Sequence, residues 1–331
     1  MNFQLEKKIV LDYYRALEKA DNLGVTNVLS EFCSSDLVWR GFDPFNLIRG
    51  CEAVSKSFWQ PLLYSLSHCQ RRLDIFLAGQ NTIAGNEDKW VISMGHLMGL
   101  FDNPWLGIPP TQKVIMLRYC EFNNVKNGKI VETAMFFDIP HFMIQAGLVP
   151  FQSQTGAHLV QPGPITHSGL MFDPQDPLET KRTKEAIEFM INDIRTWKES
   201  CDEPLIDELR RSWNEDMIWW GPAGIGATYT IERYAKQHSG PFRSGFKNRK
   251  FNGHLCRVAE GHFGGFFGWP NLTLTPAGGF MGMPASETPG DMRVIDIYRR
   301  EGEKLTENWV FIDLLHFWKM QGIDILNESL E

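Results

Sequence analysis

The sequence predicts a tandem duplication of one α+β domain, each copy opening with helices and closing with antiparallel strands that wrap a sheet around a helix. Three observations predict it. Motifs recur in the same order at a nearly constant offset, the apolar pattern changes from helical to alternating twice, and a Pro- and Gly-rich stretch separates the copies.

The repeat is read from aligned residues. SSDLVWRGFDP (34–44) matches NEDMIWWGPAG (214–224), which sets Asp36, Trp39 and Gly41 on Asp216, Trp219 and Gly221 at an offset of 180. Glu52 and Pro61 meet Glu232 and Pro241 at the same offset. Further along the offset is 175: Gly107, Pro109, Arg118, Lys129 and Glu132 meet Gly282, Pro284, Arg293, Lys304 and Glu307. FFDIPHF (136–142) and FIDLLHF (311–317) close the series, so the five-residue change marks a short insertion near DNPW (102–105). The expected domains are 1–150 and 181–331, joined by a linker or strap over 151–180.

Each copy has the same expected elements. Amphipathic helices lie at 9–20 and 183–199, followed by shorter helices at 25–33 and 204–213. DLVWRG and DMIWWG start strands, and further helices begin near Glu52 and Glu232. In the first copy strands follow at 89–101, 113–125 and 129–137, and NGK (127–129) and EGEK (301–304) have hairpin-turn composition. Asp138 and Asp313 precede short helices that stop at Gly147 and Gly322. They are expected N-caps, with His141 and His316 at the third helical position.

Composition narrows the function. The 331 residues are 43% apolar and 22% charged, ordinary for a globular protein, and 23 Phe and 11 Trp suggest large apolar interiors or pockets. A net charge of −7 argues against nucleic acid or an anionic membrane as partner. No window approaches about 18 uninterrupted apolar residues, and the amino terminus has no signal-peptide core. The cysteines at 33, 51, 69, 120, 201 and 256 form no C-x-x-C pair, so a reducing cytoplasm is the expected compartment. His254 and His262 have no third ligand at useful spacing, GHFGGFFGWP (261–270) lacks the lysine of a phosphate loop, and no G-x-S-x-G elbow occurs.

Two carboxylates stand inside strongly apolar strands. Glu121 shares a face with Leu117 and Tyr119, and Asp296 shares one with Val294 and Tyr298. On an inward face each would have a raised pKa and could act as a general acid or base; the bland reading is a salt bridge, with Arg118 or Arg293 as candidates. Trp39 and Trp219 can line a pocket or fill a core. His238 can be structural or a pocket proton donor, and His96 reads as a satisfied buried residue.

LFDNPWLGIPPTQKVIMLRYCEFNNVKNGKIVETAMFFDIPHFMIQAGL (100–148) resembles the carboxyl half of SnoaL-like polyketide cyclases, and 219–242 with 292–326 is similar. The resemblance implies the cone-shaped α+β barrel of the nuclear transport factor 2-like superfamily, a curved antiparallel sheet closed by helices around an apolar pocket. It implies cofactor-free, metal-free aldol closure of a hydrophobic carbonyl compound, and pairing of the two copies as an intramolecular pseudo-dimer. The family's catalytic Asp falls on Met135 and Val310, which cannot move a proton. The His of the preceding strand falls on Glu121 and Asp296, and that of the glycine–x–His–x–glycine strand on Leu97 and Pro276. The expected function is therefore a cyclase or isomerase using Asp296 or Glu121, with Trp39, Trp219, His238, Asn308 and Tyr298 contacting substrate; the alternative is a binding module that has lost chemistry. The second copy keeps more polar residues near its cavity (Asp296, Asn308, His238), which places activity there.

Overall fold

The structure, a computed structural model, describes residues 2–85, 88–156, 162–196 and 203–330. Two compact units form, the first from Met1–Pro150, Pro162–Pro174 and Leu326–Glu331, the second from Phe151–Gln161 and Gln175–Ile325. The stretch between the copies is thus shared out: 151–156 packs on the second unit, where Phe151 is buried and the Thr155 N–H donates to the Gly224 carbonyl, and 162–174 packs on the first, where the Met171 N–H donates to the Phe76 carbonyl. The predicted duplicated α+β fold is what the chain adopts.

In the first unit, helices Gln4–Lys19 and Val25–Phe32 come first. Val10, Tyr13, Tyr14 and Leu17 form one apolar stripe, because residues three and four apart share a helix face, and all four are buried. Strands β1 (Cys33–Gly41) and β2 (Leu47–Arg49) follow, then a helical run 51–65 interrupted by a π-helical turn at Ser55–Trp59. β3 (Leu66–Gln80), β4 (Lys89–Phe101), β5 (Val114–Lys126) and β6 (Lys129–Phe137) complete a sheet of order β2-β1-β6-β5-β4-β3.

The second unit repeats this order. Helices Pro177–Thr196 and Leu205–Ser212 precede β7 (Trp213–Trp220) and β8 (Ala227–Tyr229), and the helical run 230–245 carries a π-helical turn at Ala235–Ser239. Then come β9 (Phe246–Phe251), β10 (Cys256–Glu260), β11 (Phe263–Pro276), β12 (Gly290–Glu301) and β13 (Lys304–Ile312). The sheet runs β10-β11-β12-β13-β7-β8, with β9 also on β11. β9 and β10 together take the place of β3, separated at 252–255.

One departure from the expected antiparallel sheet is physical. β3 through β6 pair as hairpins, but β1 lies parallel to β6 and β7 parallel to β13. β1 and β7 each enter before the helical run, so the last strand of the unit reaches them through a crossover, and a crossover permits parallel pairing. The sheets are mixed.

The Asp–x–x–His–Phe repeats cap helices. Asp138 accepts a hydrogen bond from the His141 N–H at 3.1 Å, and Asp313 from the His316 N–H at 3.2 Å. Behind each cap stands an arginine, Arg118 at 3.8 Å and Arg293 at 3.3 Å. His96 is buried with Nδ1 3.2 Å from Asp74 Oδ2. Asp138→Ala is expected to cost more than the ~1 kcal/mol of a cap alone, because Arg118, 2% exposed, loses its carboxylate. Urea unfolding checks this, and Asp138→Asn should recover the cap portion only.

Candidate active site

β12 alternates inward Met292, Val294, Asp296 and Tyr298, and β13 alternates inward Asn308, Val310 and Ile312. Trp219 from β7 and Phe251 from β9 add to the wall. Helix Pro177–Thr196 contributes Met190 and Ile191, and the run 230–245 contributes Tyr234, His238 and Phe242. They enclose a cavity of about 400 Å³ in the second unit. That size lies within the usual range for small-molecule sites. Five residues singled out in the sequence, Asp296, Tyr298, Asn308, Trp219 and His238, line this one cavity.

Two glycines permit the wall. Trp219 folds its indole over Gly221, where a Cβ would collide with the ring. At Gly268 a Cβ would strike the Asn271 side chain and the Gly253 carbonyl. That close approach accompanies a bulge between Gly268 and Leu272 of β11. Within it, Asn271 Oδ1 accepts from the Val294 N–H at 2.8 Å.

Asp296 is the carboxylate that lines this cavity. Its side chain is half-buried by accessibility, since it opens onto the cavity, yet it lies deep among protein atoms. Burial pushes its carboxyl up to about 7, and hydrogen bonding with Asn308 and Tyr298 opposes this only in part. Asn308 Nδ2 donates to Asp296 Oδ1 at 3.3 Å and to the Ile297 carbonyl at 3.0 Å, which fixes the amide. Asp296 has no ion pair among the described residues. Tyr298 and Tyr234 are held well above the usual phenol range by burial and then by the nearby Asp296 charge, so both stay neutral.

His238 stacks on Trp219 with ring centroids 4.0 Å apart and planes 19° from parallel. Burial pulls its imidazole down to about 3. Burial thus favours the uncharged ring. Of the cavity cations, Arg243 grips Glu208 through two hydrogen bonds of 2.8 and 2.6 Å, and Arg249 donates to the Ile194 carbonyl at 3.0 Å. His254 also lines the cavity, stacked on Phe266 at 3.9 Å and 15°. No periodicity marked it, because it lies in the 252–255 break. His262 instead meets Arg300 and Glu179.

Val310 is paired directly with Asp296 across the sheet, and Met135 with Glu121. These two apolar side chains are thus the cross-strand neighbours of Asp296 and Glu121.

The first unit treats its carboxylate differently. Glu121 forms an ion pair at 2.6 Å with Arg71 of β3, both side chains nearly inaccessible at 0% and 3%. The partner is neither Arg118 nor Arg293, the arginines considered from sequence; each of those faces a helix-capping Asp. The Arg71 guanidinium lies 3.8 Å over the Tyr14 ring and 4.5 Å over Tyr119. Tyr14 Oη is in turn 2.7 Å from Ser93 Oγ and accepts from Asn123 at 3.1 Å. Arg71 faces Leu97 on β4 as Phe251 faces Leu272 on β11, so Leu272 rather than Pro276 is the counterpart of Leu97 and an arginine occupies the place of a phenylalanine. Likewise Phe58 stands where His238 does, stacked on Trp39 at 5.3 Å. Trp39 is packed among Phe45, Phe58 and Phe137, a core position.

No protein-family model matches this sequence, and no curated protein matches it. Solved structures similar to it include a SnoaL-like protein of a Jannaschia species, 17% identical, covering 42% of this chain and 92% of its own at a TM-score of 0.34. IdmH of Streptomyces antibioticus is 17% identical over 43% of this chain and 97% of its own, TM-score 0.35. Both are provisionally named polyketide cyclases. A nuclear transport factor 2-like protein of Burkholderia xenovorans is 14% identical over 43% of this chain and 96% of its own, TM-score 0.33. Each likeness is to about one half of the chain and bears on no activity.

Arg71→Met is expected to destabilise the first unit by about 3–5 kcal/mol, since it strands a buried carboxylate, and adding Glu121→Gln should restore much of that. Denaturant titration of the single and double variants checks it. Asp296 makes stability depend on pH. Its folded pKa is raised, so the folded state binds more protons than the unfolded one between pH 3.8 and about 7, and stability falls across that window. Asp296→Asn should therefore gain stability over the native chain as pH rises from 4 to 7, at about 1.4 kcal/mol per pH unit at most, and hold the gain above 7.

Proposed function

We propose that the second unit is a cofactor-free acid–base catalyst, of the polyketide cyclase or isomerase type, acting on a hydrophobic carbonyl compound. Asp296 is the proton carrier. Its carboxylate takes a proton from carbon beside the carbonyl, leaving an enolate, and returns a proton to carbon or oxygen as the product forms. The observation that carries this reading is a carboxylate with no counter-cation among the described residues, facing an apolar cavity and poised near neutrality. Asn308 and Tyr298 orient it. The first unit, with Glu121 held by Arg71, has a structural role in this reading. The resemblance of both halves to SnoaL-like sequences supports the reaction class.

A second reading is a non-catalytic small-molecule-binding module. The observation favouring it is Val310, which leaves Asp296 without the second acid that the resemblance implies.

Deuterium exchange of 2-tetralone in heavy water separates the two. As a catalyst, the native chain accelerates exchange by about 10²–10⁴ over buffer, with a rate that rises with pH through a midpoint near 7, and Asp296→Asn abolishes it. Bound 2-tetralone with unaccelerated exchange establishes the binding module instead.

A further inference from the structure

The cavity of the second unit holds a buried polar group that proton transfer by Asp296 leaves unused, the imidazole of His238. It sits in the π-helical turn Ala235–Ser239, a local geometry often found at functional sites. The ring is clamped by Trp219 on one face, with Tyr234 at 5.5 Å and Phe242 at 5.7 Å. His238 is 8% exposed. Nδ1 is sealed and has no hydrogen-bond partner, so Nε2 is the nitrogen that meets the cavity. A proton on the sealed nitrogen would be a buried N–H without an acceptor, a rarer and costlier orphan than a bare lone pair. The proton therefore belongs on Nε2.

We propose that His238 is a second catalytic residue: its neutral Nε2–H donates a hydrogen bond to the substrate carbonyl oxygen and stabilises the enolate oxygen that develops there. This rests on the reading of Asp296 as proton carrier and supplies the group that receives the charge. Burial favours the uncharged ring, and that bears on Asp296, which lines the same cavity. An imidazolium in the same cavity would draw Asp296 back toward the usual carboxylate range, whereas a fixed neutral dipole stabilises an oxyanion without discharging the base. The first unit carries Phe58 at the matching place, stacked on Trp39, so the fold accommodates a hydrocarbon ring there.

Two measurements on the full chain test the proposal. Long-range proton–nitrogen NMR of histidine-labelled protein, assigned by difference from His238→Phe, should show the neutral Nε2–H tautomer at pH 7; an Nδ1–H tautomer or a charged ring overturns it. Binding of 2-naphthol, an aromatic enol, and of naphthalene, its oxygen-free counterpart, should then diverge. His238→Phe is expected to weaken 2-naphthol by about tenfold and leave naphthalene within about twofold, and His238→Gln should restore part of the difference. Equal loss of both probes, or no loss of either, overturns the role of His238 alone. Failure of both probes to enter the native cavity overturns it together with the cavity reading beneath it.

Discussion

A carboxylate on the inward face of a strand must either meet a cation or hold its proton, because charge without compensation is costly away from water. Each unit places one carboxylate at the matching position of a matching strand, and the two units satisfy the constraint in opposite ways. In the first, Arg71 reaches across from β3, and aromatic rings cover the ion pair. In the second, Phe251 stands in the arginine's place, the space stays open, and Asp296 moves its titration toward neutrality. The exchange of Arg71 for Phe251 removes the cation that pairs with Glu121, and Asp296 has no ion pair among the described residues.

The duplication was legible because it rests on local signs. Gly, Pro and Asp at turns and caps keep their spacing whatever the interior does, and Asp138 and Asp313 cap their helices as the Asp–x–x–His–Phe pattern predicts. Strand alternation likewise indicated which residues accompany Asp296, since Val294 and Tyr298 follow from a period of two. The parallel placement of β1 on β6 was not legible, because strand direction in a crossover depends on distant pairing. Arg71 was not legible either. LSHCQRRLDIFLAGQ reads as polar and broken, and only the β3–β4 register shows which of its arginines turns inward.

The same limit applies to the cavity's second histidine and to the fate of Trp39. His254 reaches the site through the break between β9 and β10, where β3 has only a register shift between Leu73 and Ile75, and Trp39 is core because Phe58, rather than a histidine, covers it. Both facts concern what lies opposite a residue, which alternation along one strand does not encode. Conversely, His238 was visible as a residue and not as an environment. Its stacking on Trp219 and its loss of basicity arise from the helical run and the strand together.

The parallel pairing of β7 with β13 has a kinetic side. Trp219 and Asn308 lie opposite each other in register although the chain between them spans most of the unit. The wall that carries the acid therefore closes only when the last strand docks beside the first. Loop-closure entropy makes such contacts late and slow. During synthesis the polar groups of this interior are assembled at the end, so a chain halted before β13 has a carboxylate on β12 that is still wet and ordinary. The enclosed setting of Asp296, on which the proposed proton transfer rests, is thus completed only with the final strand.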